Sequence, residues 1–174
     1  IINAAAYTAV DKAEEEPDLA MTINGVAPGI LAKAAKIVGA GLIHYSTDYV
    51  FDGHSNTAYK EENSPCPLSS YGKSKLAGEK AIGEVMIPYL ILRTGWVYSL
   101  HGKSFLRTIK KMAERKDTLS IVDDQMGSPT WARSIALATH QILKQCLQQN
   151  WLKKNSPYLS GIFHLTCQGK TSWH

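Results

Sequence analysis

Apolar and polar residues follow one another along this chain in blocks that predict strands separated by helices. Short apolar runs of strand length occupy positions 1–6, 41–45, 89–93, 119–122 and 161–165. Apolar residues at helical spacing predict helices over about 17–38, from Ser69 or Ser70 to about 81, over 103–115 and over 131–149. Strands that alternate with helices in this way are typical of βαβ units, so we expect an α/β fold with a mainly parallel sheet.

Pro28 interrupts the first predicted helix. Proline lacks an N–H, so it leaves the carbonyl of Asn24, four residues earlier, without its helical hydrogen bond. Pro28 could simply kink a helix that curves over the sheet. Alternatively, the freed carbonyl holds an ordered water that relays protons towards Lys75, which we keep as a hypothesis.

Length and composition favour a single core. A chain of 174 residues with 44% apolar content can bury one sizeable core, so one domain is the default. The chain opens inside a predicted strand without Met, and Thr171 to Trp173 resemble the entry to a further helix, with Ser172 as a possible cap. We therefore expect residues 1–174 to be a partial domain, truncated at both ends.

Charge and cysteine content argue against several classes of protein. The net charge of +4 comes from scattered lysines, and the densest basic clusters, 153–154 and 110–111, are too thin to predict nucleic-acid binding. Three cysteines without metal-ligand spacing support neither a disulfide framework nor a zinc site. No apolar stretch reaches membrane-span length and no leader opens the chain, so we expect a soluble, cytoplasmic protein.

Candidate chemistry is concentrated between positions 46 and 75. Ser46 and Thr47 follow the apolar run 41–45, at the strand end where open α/β sheets bind ligands. After a long loop over 48–67, Tyr71 and Lys75 lie four residues apart, on one face of a predicted helix. An ammonium beside a buried phenol lowers its pKa, which makes Tyr71 a candidate proton donor. The alternative is that Tyr71 and Lys75 are merely solvated side chains on a surface helix.

Five segments together resemble a known family. They read NAAAYTAVD at 3–11, STDYVFDG at 46–53, YGKSKLAGE at 71–79, RTGWVY at 93–98 and TSW at 171–173. This set resembles the extended short-chain dehydrogenase/reductases, and within them the dTDP-4-dehydrorhamnose reductase family. The resemblance implies a doubly wound, Rossmann-like sheet. It also implies reduction of dTDP-4-dehydro-6-deoxy-L-mannose to dTDP-L-rhamnose with NADPH or NADH, the last step of dTDP-rhamnose biosynthesis and part of O-antigen biosynthesis.

The resemblance also implies roles for individual residues. The catalytic residues would be Thr47, Tyr71 and Lys75. The cofactor would contact Ala5, Ala6, Tyr7, Tyr45, Tyr71 and Lys75. The sugar nucleotide would contact Thr8, Val10, Thr47, Asp48, Tyr49 and Trp96. Trp96 could instead be a packed core aromatic, Asp48 a turn cap and Thr8 an ordinary turn residue.

Other readings stay open beside this one. Dehydratases of this group carry Asp-Glu after the Thr, whereas Tyr49 follows Asp48 here, and epimerases usually carry small residues at these positions. A non-catalytic subunit similar to the regulatory beta subunit of methionine adenosyltransferase is the alternative from another class. The glycine-rich turn that binds the dinucleotide pyrophosphate is absent from the sequence, so we expect this chain alone to be inactive. Family members can use Mg²⁺ and form homodimers, but no metal ligands can be placed here.

Overall fold

The computed structural model describes residues 1–102, 104–152 and 160–173. Two compact units are present, Ile1–Arg93 with Lys144–His164 and Thr94–Leu143 with Leu165–His174. The strands are β1 (Ile2–Asn3), β2 (Leu42–Thr47), β3 (Tyr89–Thr94), β4 (Val97–Tyr98), β5 (Met126–Gly127), β6 (Thr130–Trp131), β7 (Gly161–His164) and β8 (Thr171–Ser172). The α-helices are α1 (Lys12–Glu15), α2 (Pro17–Met21), α3 (Ala27–Ile37), α4 (Ser70–Gly83), α5 (Phe105–Ala113) and α6 (Ala132–Gln148).

The first unit is built on a four-stranded sheet with the order β1-β2-β3-β7. β1 pairs with β2 in parallel, with Asn3 opposite His44, and β3 pairs with β7 in parallel, with Arg93 opposite His164. The buried runs of β2 and β3 are the apolar runs that predicted strands. The predicted α/β fold with a mainly parallel sheet is therefore confirmed.

Helices α3 and α4 cover this sheet through a common apolar core. Its buried members are Ala32, Ala35, Leu42, Ile82, Val85, Ile87 and Ile91. Alanines on α3 let the helix lie close to the strands, because they leave no long side chain between the backbones. Gly78 lets α4 lie close to the backbone at Asn24, since a Cβ on Gly78 would lie 2.2 Å from the Asn24 carbonyl oxygen.

The helix predicted over 17–38 is confirmed, because helical backbone runs without a break from Pro17 to Ile37. A π-helical turn within it, Thr22–Val26, joins α2 to α3, and Pro28 lies at the start of α3. Pro28 lacks the N–H that would bond back within this helix, and the irregular π turn directly precedes it. The carbonyl of Asn24 faces Gly78. The proton-relaying water remains a prediction.

The second unit contains two small sheets that the sequence did not predict. β4 pairs with β6 in parallel, and β5 pairs with β8 in an antiparallel arrangement. β5, β6 and β8 lie outside every apolar run that predicted a strand, and Ser172 lies in β8 rather than at a helix cap. The predicted strand over 119–122 is wrong, because this apolar run has no strand neighbour and Val122 is half exposed.

The predicted helices of the second half are largely confirmed. α5 begins after Ser104, whose hydroxyl oxygen accepts the Arg107 N–H at 3.5 Å, and α6 lies within its predicted range. The predicted start of α5 at Lys103 and the basic pair 153–154 fall outside the described residues. No helix among the residues that the structure describes is long and apolar enough to cross a bilayer.

Candidate active site

Thr47 ends β2 and starts a tight turn. Its hydroxyl oxygen accepts the Tyr49 N–H at 3.2 Å, which caps the short 3₁₀ turn Asp48–Val50. Its hydroxyl also donates to Asp48 Oδ1 at 3.2 Å. The chain thus turns sharply at the carboxyl end of β2, and it does so directly beside the start of α4, because a Cβ on Gly72 would lie 2.3 Å from the Tyr49 carbonyl oxygen.

Tyr71 lies in the first turn of α4, which is capped twice. The Ser69 hydroxyl oxygen accepts the Gly72 N–H at 3.1 Å, as predicted for a cap at Ser69 or Ser70. The Glu14 carboxylate accepts both the N–H and the hydroxyl of Ser70 at 2.7 Å. A carboxylate suits the positive end of a helix dipole, so α1 anchors the end of α4 that carries Tyr71.

The structure brings the Tyr71 phenol to Thr47. The Tyr71 phenol lies beside the Thr47 hydroxyl, and the Tyr49 ring packs edge-on against Tyr71 with ring centroids 5.5 Å apart. Burial raises the pKa of Tyr71 to about 12, and the nearby Thr47 hydroxyl only partly offsets this. The expectation that Lys75 lowers this pKa is therefore wrong for the structure as it stands.

Lys75 makes its contacts elsewhere, which explains that correction. Its side chain is 2% exposed, and Nζ donates to the Tyr45 carbonyl oxygen at 2.6 Å. Nζ also lies 3.2 Å from His44 Nε2. Burial lowers the pKa of Lys75 to about 8, although Glu79 acts in the opposite direction. Tyr71 and Lys75 are both buried on α4, so the alternative of two solvated side chains is wrong.

The loop after β1 is fastened to α4 by Asn24. The Asn24 side-chain oxygen accepts the Tyr7 N–H at 2.8 Å, and its amide nitrogen donates to the Tyr7 carbonyl at 3.0 Å and to the Ser74 hydroxyl at 3.1 Å. Ala5 and Ala6 precede Tyr7 on this loop, with Ala5 exposed and Ala6 partly exposed. The predicted cofactor residues of this segment therefore lie at the carboxyl end of β1.

The predicted substrate residues of the first unit lie on the loop after β1 and in the turn Asp48–Val50. Val10 and Tyr7 pack on the buried cluster of Ala13, Ala20 and Tyr71. Thr8 is exposed on the same loop, and Tyr49 is 40% exposed. Burial raises the pKa of Asp48. Asp48 and Tyr49 also form the turn capped by Thr47, so a structural role for them stands beside the predicted one.

Trp96 lies in the second unit, where it packs against other aromatic side chains. Its ring stacks on Trp173 with ring centroids 3.5 Å apart, and Trp173 also contacts Phe105. Its backbone has φ 49°, an uncommon conformation for a residue other than glycine. Gly127 permits the close approach, since a Cβ there would lie 2.3 Å from the indole. These contacts agree with the alternative interpretation, in which Trp96 is a packed aromatic side chain.

Several buried polar residues of the site escaped prediction. Glu79 and Arg93 form a bidentate ion pair, with Nε–Oε1 at 2.9 Å and Nη2–Oε2 at 2.6 Å, and Ser46 donates to Glu79 at 2.5 Å. His44 and Asn3 join the Lys75 contacts. His44 and Arg93 could have been noticed as a polar and a charged residue inside apolar strand runs. Their partners, Lys75 and Glu79, could not be identified because they lie far along the chain.

The described residues contain no cluster of three or more His, Cys, Asp or Glu side chains that could hold a metal ion. The residues present do suit the nicotinamide end of a dinucleotide. Tyr71 and Lys75 supply a hydroxyl and an amine, and the small side chains of Ala5 and Ala6 leave room beside the end of β1.

Comparison with known proteins points in one direction. Residues 1–174 match the family model described as RmlD substrate binding domain. A dTDP-4-dehydrorhamnose reductase from Burkholderia thailandensis is 47% identical over the whole chain and 57% of its own length. The crystal structure of the Bacillus anthracis dTDP-4-dehydrorhamnose reductase in complex with NADP is 38% identical, with a TM-score of 0.88 over 99% of this chain and 57% of that one.

A second solved structure is similar to this chain to the same extent. The dTDP-4-dehydrorhamnose reductase ortholog from Clostridium acetobutylicum is 40% identical, also with a TM-score of 0.88 over 99% of this chain and 57% of its own. The chain thus spans a little over half the length of the relatives that it matches.

Proposed function

Because this chain belongs to the RmlD substrate binding domain family, we propose that the full-length protein carrying it reduces a dTDP-4-dehydro-6-deoxy sugar to dTDP-L-rhamnose. The observation that carries the proposal is that the buried Tyr71 phenol lies beside Thr47 at the carboxyl end of β2 and that Lys75 is buried on the same helix as Tyr71. Residues 1–174 would form part of the Rossmann-like reductase domain.

In this proposal Tyr71 is the proton donor. NADPH or NADH, when bound, supplies the hydride that C4 of the keto sugar receives. The C4 oxygen then takes the proton of Tyr71, so that the carbonyl becomes a hydroxyl and the phenolate recovers its proton from solvent. A phenol whose pKa is raised to about 12 stays protonated at neutral pH. An alkoxide is still the stronger base, so the transfer remains favourable.

The neighbouring residues orient the reactants. Thr47 would hydrogen-bond the same sugar oxygen, and Lys75 would hold the nicotinamide ribose. Ala5, Ala6, Tyr7 and Tyr45 would line the cofactor. Thr8, Val10, Asp48, Tyr49 and Trp96 would contact the sugar nucleotide. We propose that the enzyme is cytoplasmic, that it can form a homodimer and that its small-molecule partner is a sugar nucleotide.

Absorbance of the reduced nicotinamide tests the proposal. Full-length protein with NADPH or NADH and dTDP-4-dehydro-6-deoxy-L-mannose should consume the coenzyme. Tyr71→Phe should lower kcat by about 10²–10⁴-fold, because it removes the positioned proton. Tyr89→Phe is the matched control, since Tyr89 starts β3 and packs against the core. No consumption by the wild type, with co-purification of a larger partner, would support the regulatory-subunit reading instead.

A further inference from the structure

His44 is a buried histidine whose hydrogen bonds fix where its ring proton lies. It is 1% exposed on β2, with Asn3 on one side of the ring and Lys75 on the other. Burial is the main cause that lowers the pKa of His44 to about 3, so the ring is neutral at physiological pH. A neutral imidazole carries a single N–H, and the other ring nitrogen can only accept.

Asn3 decides which nitrogen accepts. Its side-chain oxygen accepts the Ala5 N–H at 3.1 Å, and a backbone N–H can only donate, so this contact fixes the orientation of the amide. The amide nitrogen then lies 3.0 Å from His44 Nδ1 and can only donate to it. Nδ1 is therefore the acceptor, and Nε2 carries the proton.

The Nε2–H consequently points at Lys75. Nζ lies 3.2 Å from Nε2. An ammonium has no lone pair and cannot accept this hydrogen, whereas a neutral amine has one lone pair. A neutral amine can accept from His44 while it donates to the Tyr45 carbonyl oxygen at 2.6 Å. The hydrogen-bond pattern around Nζ thus matches the amine form.

The charged groups near Lys75 leave this assignment intact. His44 faces Nζ from β2, and Glu79 acts from one turn further along α4 and favours the ammonium. However, Glu79 is committed to a bidentate pair with Arg93 of β3 and accepts from Ser46 of β2. Burial is the largest influence on Lys75 and favours the amine.

We propose that His44 is a positioning residue for Lys75, presenting the ring N–H that Asn3 assigns to it and thereby stabilising the neutral amine form of the lysine. This inference rests on the proposed function, in which Lys75 serves the reductase site. Its consequence is that His44 sets the pH at which Lys75 becomes an ammonium, the form in which it would hold the nicotinamide ribose.

The tautomer can be read directly from the wild-type protein. Two-bond ¹H–¹⁵N correlation spectra of full-length, ¹⁵N-histidine-labelled protein at about pH 9–10 should show Nε2 protonated and Nδ1 unprotonated, because a Lys75 with a pKa of about 8 is an amine there. His44→Phe identifies the signals. A protonated Nδ1 would overturn the proposal, since Nε2 would then accept from a lysine ammonium. This measurement needs neither a stable variant nor enzymatic activity.

The titration of Lys75 gives the second test. ¹³Cε-lysine-labelled full-length protein reports the midpoint of Lys75, assigned with Lys75→Met. His44→Phe removes the opposing N–H and should move the midpoint to higher pH. Asn3→Asp offers only acceptors and should shift the ring proton to Nδ1, so that Nε2 accepts from Lys75 and the midpoint moves up by about one unit or more. The exposed His54→Gln is the control and should leave it unchanged.

The sign of the shift decides the outcome. A midpoint that stays or falls in His44→Phe contradicts the proposal, because removing an acceptor would disfavour the ammonium. The alkaline limb of the kcat profile should follow the NMR midpoint, which a merely structural histidine would not cause. If the wild type shows no reductase activity but the midpoint moves as expected, the proposed function fails and the inference on His44 stands.

Discussion

Helices α4 and α5 differ in how far they are buried, and the difference runs against their amphipathic patterns. α5 carries apolar residues on one side, Phe105, Leu106, Ile109 and Met112, yet none of its residues is buried. α4 has a weakly apolar sequence, yet it buries seven residues, Tyr71, Gly72, Ser74, Lys75, Gly78, Glu79 and Ile82. A hydrophobic stripe thus predicts a helix, but its packing partner decides whether the stripe is buried.

Burial of α4 depends on polar pairing and on close backbone contact. Glu79 pairs with Arg93, the Lys75 amine contacts Tyr45 and His44, and two glycines allow neighbouring carbonyls to approach. Buried polar groups are tolerated only when they are hydrogen-bonded. The candidate site can therefore keep ionisable groups in a dry environment, where their pKa values differ from those of exposed residues.

Loss of the Glu79 carboxylate should have the largest effect on stability. Glu79→Ala leaves Arg93 buried and without its ion partner, so the free energy of unfolding of the full-length protein should fall by about 3–5 kcal/mol. Urea unfolding measures this change. Glu84→Gln, at the exposed end of the same helix, is the control. A similar small loss in both variants would mean that α4 does not depend on the pair.

The buried Lys75 should make stability rise with pH. Its pKa is lowered to about 8 from an ordinary 10.5, so between these values the unfolded chain binds one proton more than the native protein. Stability therefore increases with pH in this window. From pH 8 to 10, before Tyr71 contributes, the gain relative to Lys75→Met should be about 2–3 kcal/mol. Below pH 8 the difference should be flat.

Unfolding midpoints measured across this pH range test the Lys75 effect. Lys110→Met changes an exposed lysine of α5 and should leave the wild-type slope in place. Equal slopes for the wild type and Lys75→Met would contradict the expected burial of this charge in the native state.

Close backbone contact on α4 should appear as an unequal response of two glycines. Gly78→Ala places a Cβ 2.2 Å from the Asn24 carbonyl oxygen, so it should lower the free energy of unfolding by about 1–3 kcal/mol. Gly83→Ala meets nothing closer than the Tyr89 hydroxyl at 3.7 Å and should be neutral or stabilising by up to about 1 kcal/mol. Thermal unfolding separates the two variants, and equal stabilities would argue against the close approach.

A change on the apolar side of α5 should have the smallest effect. Leu106 is 59% exposed, so Leu106→Ser should change the free energy of unfolding by no more than about 0.5 kcal/mol. Ile82→Ala on α4, fully buried, should cost about 2–5 kcal/mol. A loss of comparable size for Leu106→Ser would show that the full-length protein buries this side of α5 and would end the contrast between the helices.

Local patterns were sufficient for the main elements. The apolar runs at β2, β3 and β7 were of strand length, and α4 and α6 carried helical spacing with a capping serine at Ser69. Local patterns were insufficient for the two-residue strands of the second unit. β5, β6 and β8 exist only because distant segments pair with them, while the apolar run 119–122 found no neighbour.

The sequence by itself determined the parallel α/β architecture and the presence of Tyr71 and Lys75 on one helix beside the end of β2. Both follow from periodicity and short spacing, which act within a few residues. Only the tertiary structure decided that Lys75 contacts His44 and Tyr45, that Glu79 meets Arg93, and that the pKa of Tyr71 rises. Burial and hydrogen-bond partners set those outcomes, and they come from residues that folding alone brings together.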